Sequence, residues 1–335
     1  KYRQILFGLS GFLYRQRQLS PTFPLDTHEP RVDLFLVRHT KHSRAFIQEQ
    51  IRMGNVMLNS VVLQKTGRKL RPGDRLTWHF EEKAALDLTP IQGSIDILYE
   101  DTEILVLNKA QGVVVHPASG HKGETLVHHL LFHLSHAQEF ITSPTRPGIV
   151  HRLDRGTSGV ILIAKNRHSH EVISLQFKNR EVKKAYEAIV WGKMNESGVM
   201  TSAIGRDRRE RKKMSSRTNT GKASVTHWKR KEETIHFTHV DFFPMTGRTH
   251  QLRVHSSEAN NPIVGDRLYG TASARRRIQL IPELLRDYLL SVTDTFLHAE
   301  SLTFRHPTTN ALMTITAPVP PIFGKFLSLI RAYDR

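Results

Sequence analysis

Hydrophobic residues along this chain fall in short bursts, not long runs. Downstream of residue 95 the bursts are strand-length and mostly rich in β-branched side chains, at residues 95–99, 104–107, 112–117, 160–164 and 185–190. Turn-forming or polar residues bound each of them, which predicts five strands. Apolar positions at helical spacing over 124–138 and 166–179 predict two helices between some of the strands. No strand–helix–strand unit repeats, so the order predicts an α+β fold with a mixed, mainly antiparallel sheet, not a doubly wound one.

The stretch from 31 to 80 has a different rhythm. Ser43 stands where a helix N-cap belongs, Phe46, Ile47 and Ile51 follow at helical spacing, and Gly54-Asn55 ends the pattern. Residues 56–59 then read as a strand, and 70–76 as a turn into another. The polar stretch 81–94 contains Pro90 and Gly93 and reads as a linker. The expected organisation is an extension at 1–30, a small α/β module at 31–80, the linker at 81–94 and a larger domain at 95–335. With 335 residues and 39% hydrophobic content there is enough apolar surface for two cores. No uncharged apolar run reaches the roughly 18 residues that a bilayer span requires. The apolar patch at residues 5–13 is followed at once by Arg15 and Arg17, with no small-residue cleavage site, so it reads as part of the extension of a cytoplasmic protein and not as an export signal.

Charge narrows the class of partner. Forty-nine Lys and Arg against thirty-one Asp and Glu give +18, the balance of a chain that meets a polyanion, with nucleic acid as the leading choice. The excess is spread over segments of differing predicted structure, which does not fit a single basic amphipathic helix on a membrane. In the small module Arg44, Arg52, Lys65 and Arg68 are candidate nucleic-acid contacts, and the densest basic run, 205–231, reads as a phosphate-binding loop or hairpin carrying Arg208, Arg209, Lys212 and Lys213. The chain has no cysteine, so neither a disulfide framework nor the cysteine-built zinc site of a nucleobase deaminase is available. The histidines at 128, 129, 133 and 136, and at 168 and 170, lack the His-Glu-x-x-His pattern with a further ligand, so no metal is expected. A phosphate-cradling GxxxxGK[ST] string is likewise missing, which removes support for an ATP-driven RNA enzyme.

One stretch concentrates the chemistry: "GIVHRLDRGTSGV", residues 148–160. Asp154 lies between Arg152 and Arg155 and is followed by small residues that permit a tight loop. Nearby positive charge favours a carboxylate's charged form, which suits a nucleophile or base, not a proton donor. "HRLDRGTSG" resembles the signature loop of the RluA-type pseudouridine synthases. Companion strings occur in the family's order: "KKAYEAIVWG" at 183–192, "GRTHQLRVH" at 247–255, "NPIVGDRLYG" at 261–270 and "LHAESLTFRHP" at 297–307. The likeness runs from about residue 95 to 320, and segment 31–80 resembles the small RNA-binding module first named for a ribosomal protein.

The resemblance implies an enzyme that detaches uracil from its ribose, rotates it and rejoins it through carbon, without cofactor or metal. It implies that Asp154 is the catalytic carboxylate, by attack on the ribose or by a glycal route, that Tyr186 stacks on the target base, and that Arg253 pairs with the carboxylate. Arg152 is implied to fill the gap left by a flipped uridine, and Arg248 to contact phosphate or to exchange roles with Arg253. His151 and Leu302 complete the expected substrate contacts. Many relatives carry an acid where this chain has Gly156, and the extension at 1–30 matches no string recognised in the family. The expected partner is RNA, foremost large-subunit ribosomal RNA or an assembling subunit, met by a monomer. The competing class is a non-catalytic RNA-binding or assembly protein on the same fold, which would need the cations but not a carboxylate inside an anion's site.

Overall fold

The computed structural model describes residues 31–334, apart from 41, 81–87, 117–122, 136–146, 211, 271–275 and 293–294. The extension at 1–30, part of the linker and His136 therefore lie outside the described residues. The chain divides into two compact units, Lys1–Ala85 and Leu86–Arg335.

The described residues of the first unit begin with two short helices, α1 (Val32–His39) and α2 (Arg44–Arg52). Ser43 begins the second as its pattern predicts, its hydroxyl accepting the Phe46 N–H at 3.3 Å. Gly54 then takes a φ of +83°, the left-handed turn that redirects the chain into β1 (Val56–Leu58). β1 sits between β2 (Val61–Val62) and β3 (Leu76–Trp78) in an antiparallel sheet. Val32, Phe35, Leu36, Ile47, Ile51, Val56 and Leu76 close the core between helices and sheet. Each such side chain contributes roughly 1.5–3 kcal/mol on burial.

The second unit is built on a ten-stranded sheet. Its first half comprises β4 (Ile97–Glu100), β5 (Ile104–Lys109), α3 (Leu126–His133), β6 (Ser158–Ala164), α4 (Arg167–Asn179) and β7 (Lys183–Trp191). A long hairpin follows, β8 (Ser197–Arg206), β9 (Met214–Ser215) and β10 (Lys222–Glu233), then β11 (Phe237–Pro244), α5 (Gln251–Glu258), α6 (Glu283–Ser291), β12 (Leu297–Arg305), β13 (Leu312–Thr316) and α7 (Pro321–Tyr333). The strand order is β4-β5-β6-β12-β7-β11-β10-β8-β9, with β13 beside β12. Every described pairing is antiparallel except β6 with β12, which gives the expected mixed, mainly antiparallel α+β architecture.

β5 and β6 are apolar on both faces because helices cover both. Leu105, Leu107, Ile161 and Ile163 pack with α3, whereas Ile104, Val106, Val160 and Leu162 pack with Ile173 of α4 and with Phe304. This explains why these runs show no polar alternation. At the far end Phe296, Phe323, Phe326 and Leu285 join α6 and α7 to the sheet.

The run 112–117 is not a strand over the residues described, through 116. The carbonyls of Val114 and Val115 accept the N–H groups of Leu126 and Val127 at 2.8 and 3.1 Å, so the segment satisfies the open first turn of α3. Val115 is buried in the core beside it. Core packing and helix capping use the β-branched residues that a ladder would otherwise have used.

Candidate active site

The sequence folds "HRLDRGTSG" into a turn that leads directly into β6. The Thr157 N–H donates to the Asp154 carbonyl at 3.1 Å, and Leu153 is buried beneath. Gly159 ends the motif at a φ of +108°, and a Cβ there would stand 2.1 Å from the Ala299 carbonyl oxygen. Only glycine allows β6 to lie this close to β12. Lys109, itself buried, braces the loop from below by donating through Nζ to the carbonyls of Ala110 and Val113 at 2.8 and 3.0 Å and approaching that of Arg155 at 3.4 Å. The Gly112 N–H also donates to the Arg155 carbonyl.

Asp154 opens into a cavity of about 530 Å³, within the size range of small-ligand sites. Arg152, Lys178, Arg180, Lys184, Arg248 and Arg253 line it, and Asp154 is the one carboxylate among its lining residues. Asp154 Oδ2 lies 3.2 Å from Arg253 Nη1. The remaining edge of the same guanidinium is taken by Asp266, through Nε to Oδ2 at 2.7 Å and Nη2 to Oδ1 at 2.9 Å. Asp266 is enclosed and also accepts the backbone N–H groups of Leu268 and Tyr269. Burial alone would raise its pKa, but Arg253 and these donors hold its carboxyl below the usual range. The bidentate pair fixes the plane of Arg253 and so fixes what reaches Asp154.

Tyr186 lines the cavity from β7 and packs against two core clusters. Burial, and then the charge of Asp154, push its phenol up, so it keeps its proton at neutral pH and is fitted for stacking and hydrogen-bond donation. Two residues before it, Lys184 donates to the Thr246 carbonyl at 3.3 Å. Burial lowers that ammonium to about 8.

The expected residues do not all meet here. Asp154, Tyr186, Arg253, Arg152, Arg248 and His151 converge on the cavity. His151 nevertheless has a structural duty: its Nε2 accepts the Leu162 N–H at 2.9 Å and its ring stacks on Phe177. Burial lowers it to about 3, so it is neutral. Leu302 is a correction. It is buried with Val106, Leu162 and Phe304, and the β12 residue that lines the cavity is Leu297. Leu297 and Leu302 lie on either side of a register shift in β12 between His298 and Ser301 and join different core clusters. The histidines of α3 have ordinary partners: His128 accepts the Thr125 N–H, His129 bonds the Ile91 carbonyl and His133 pairs with Glu100.

The remaining basic residues named above fall into two groups, one in each unit. In the first unit Arg52, Lys65 and Arg68 line a surface recess with Lys69 and Arg71. Arg44 is not among its lining residues, because its Nε reaches buried Asp33 at 3.1 Å, beside Arg31 and Gln48. In the second unit Arg208, Arg209 and Lys212 are exposed on the turn between β8 and β9, whereas Lys213 is paired with Glu210 at 2.8 Å. The basic run is thus the tip and arm of a hairpin. Sequence reasoning missed Asp266, although "NPIVGDRLYG" displays an acid inside an apolar string, and it missed Lys109, Lys184 and His250.

The sequence pattern of the family described as RNA pseudouridylate synthase matches residues 103–258. A Bacillus subtilis protein named as an uncharacterized RNA pseudouridine synthase, YlyB, is 36% identical over 94% of this chain and 98% of its own length. A Pseudomonas aeruginosa protein named ribosomal large subunit pseudouridine synthase D is 36% identical over 87% of this chain and 88% of its own. Among solved structures, human RNA Pseudouridylate Synthase Domain Containing 1 superposes with a TM-score of 0.53 at 26% identity, covering 71% of this chain and 95% of that one.

Proposed function

This chain belongs to the RNA pseudouridylate synthase family and is an RNA pseudouridine synthase, and we propose that it isomerises specific uridines of large-subunit ribosomal RNA with Asp154 as the catalytic carboxylate. The observation that carries this reading is a lone carboxylate in a cation-lined cavity, held by an arginine whose other edge is locked to buried Asp266. A protein that only bound RNA would gain nothing from a carboxylate at that spot, since it repels the phosphate its cations attract.

In the proposed reaction the target nucleotide leaves its stack, because ribose C1′ and uracil C5 are not reachable within a stacked helix. Asp154 assists breakage of the N1–C1′ bond, either by attack of its carboxylate on C1′ or by removal of the 2′ proton. Uracil turns against the Tyr186 ring and C5 bonds to C1′ as the Asp154–C1′ bond breaks or, on the other route, as the 2′ proton returns from Asp154; the C5 proton is lost and N1 gains one, so the product is an isomer of the substrate. Arg152, exposed at the cavity rim, occupies the vacated place in the RNA. Arg248 and Lys184 meet the flanking phosphates. The recess of the first unit and the β8–β9 turn add sequence-independent attraction along the RNA. The proposed setting is the cytoplasm and the proposed form a monomer.

The test is pseudouridine mapping of ribosomal RNA from cells that lack this protein, complemented with wild type or with Asp154→Asn. Sites that vanish and return only with wild type support the reading. Restoration by Asp154→Asn, or an unchanged large-subunit map, contradicts it.

A further inference from the structure

Arg253 is not the only polar neighbour of Asp154. The Nε2 of His250 lies 3.8 Å from Asp154 Oδ2. His250 immediately precedes α5 with a φ of 57°, a left-handed conformation that residues other than glycine seldom hold and that marks a constrained position. Its Nδ1 is 2.7 Å from the hydroxyl of Tyr269, and that hydroxyl accepts the backbone N–H of Met214 at 2.8 Å. The ring of Tyr269 also carries Arg253, whose guanidinium carbon stands 5.0 Å from the ring centroid. One side chain therefore touches both cationic or polar partners of the carboxylate.

The proton inventory favours one direction. A phenol has one hydrogen to donate, its oxygen already accepts from Met214, and Nδ1 of His250 stands where that hydrogen goes. Nδ1 then accepts, so Nε2 carries the ring proton and turns it toward Asp154. Burial favours the same arrangement: it pushes Tyr269 up to about 12 and pushes His250 down, leaving a protonated phenol and a neutral imidazole.

We propose that His250 and Tyr269 are positioning residues for this reaction, Tyr269 fixing the imidazole so that its Nε2–H joins Arg253 Nη1 in orienting Asp154 through the same oxygen, Oδ2. The separation of 3.8 Å exceeds hydrogen-bond length. The proposed bond therefore forms as the target nucleotide enters, when catalytic contacts tighten. Met214 begins β9 directly after the basic turn, so the chain of contacts starts at the foot of an RNA-facing hairpin.

This inference rests on Asp154 being the catalytic carboxylate, and the experiment separates the two. Single-turnover pseudouridine formation is measured over a range of enzyme concentrations, on an RNA that the wild type modifies, for Asp154→Asn, Tyr269→Phe, His250→Asn and the double variant. Phenylalanine keeps the ring under Arg253, and asparagine is among the side chains that best tolerate a left-handed backbone. Tyr269→Phe and His250→Asn should each slow the saturating rate about tenfold or more with half-saturation unchanged, in line with the sensitivity of rate to small misplacement. The double variant should be no slower than the worse single one, since both remove the same interaction. A Tyr269→Phe rate within twofold of wild type, or a double variant whose defects multiply, overturns the proposal while a dead Asp154→Asn leaves the wider reading intact. An active Asp154→Asn overturns both. Should Tyr269→Phe fail to fold, His250→Asn decides alone: an unchanged saturating rate sinks the proposal.

Discussion

Arg253 divides one guanidinium between two carboxylates with different duties: Asp266 is enclosed and takes two of its nitrogens, while Asp154 faces the cavity and takes the third. A lysine places one point charge and cannot hold both. Arg253→Lys is expected to lower the saturating rate by about 100-fold, as misorientation near 1 Å does, with RNA affinity changed far less; single-turnover rates and filter binding check this. Asp266 also carries a pH signature. Its folded pKa is depressed, so its stabilisation is present above the normal carboxylate range and is lost as pH falls through the lowered value. Asp266→Asn should lose about 3 kcal/mol at neutral pH, the scale for breaking a buried pair, and its unfolding free energy should fall less steeply into acid than that of wild type. Lys184 shares the sign of that pH dependence, but its charge costs stability where that of Asp266 supplies it. Its ammonium is lowered to about 8 by burial, so wild-type stability should rise between pH 8 and the normal lysine range, where only the unfolded chain remains protonated. Lys184→Met should raise Tm at pH 7 and weaken RNA binding; a variant that binds RNA as tightly as wild type would contradict the assignment of a phosphate contact.

At the scale of elements, the parallel contact between β6 and β12 sets the site, because it brings the Asp154 loop against the strand that supplies Leu297. Gly159 makes that approach possible. Gly159→Ala meets a backbone carbonyl as well as an unfavourable φ and should cost roughly 3 kcal/mol or more. Gly112→Ala has φ +81° but nothing within 4 Å, and should cost about 1 kcal/mol, so urea unfolding of the pair separates close approach from conformational strain. The strands at 104–107, 160–164 and 185–190 were legible because β-branched runs bounded by polar residues have few other uses. The run at 112–117 carried the same composition and became a cap for α3, a choice made by tertiary partners that periodicity does not encode. Leu302 illustrates a related limit: the string that contains it runs along one strand, and only the packing shows that Leu297 faces the cavity while Leu302 joins the core. The Asp154 loop was legible from nine linked residues, whereas Asp266 became meaningful only once the fold set it beside Arg253, thirteen positions away in sequence.

For the molecule as a whole, a charge of +18 is the most general feature and the least specific. Each unit displays part of it, the first in the recess holding Arg52, Lys65 and Arg68 and the second on the turn holding Arg208, Arg209 and Lys212. Removing one cation that meets a phosphate should reduce the slope of log affinity against log salt by about 0.7–0.9. Neutralising Arg52, Lys65 and Arg68 together should therefore flatten it by about 2–3, read from binding titrations at several salt concentrations. Arg44, engaged with buried Asp33, should instead act on stability: Arg44→Ala should lower Tm and leave the slope nearly unchanged.

The most direct measurement compares purified wild type and Asp154→Asn on unmodified large-subunit ribosomal RNA, scoring bound RNA and pseudouridine formed in the same reactions. The account predicts that both proteins bind the RNA comparably and that only the wild type forms pseudouridine. Pseudouridine formed by Asp154→Asn at the wild-type rate would contradict it.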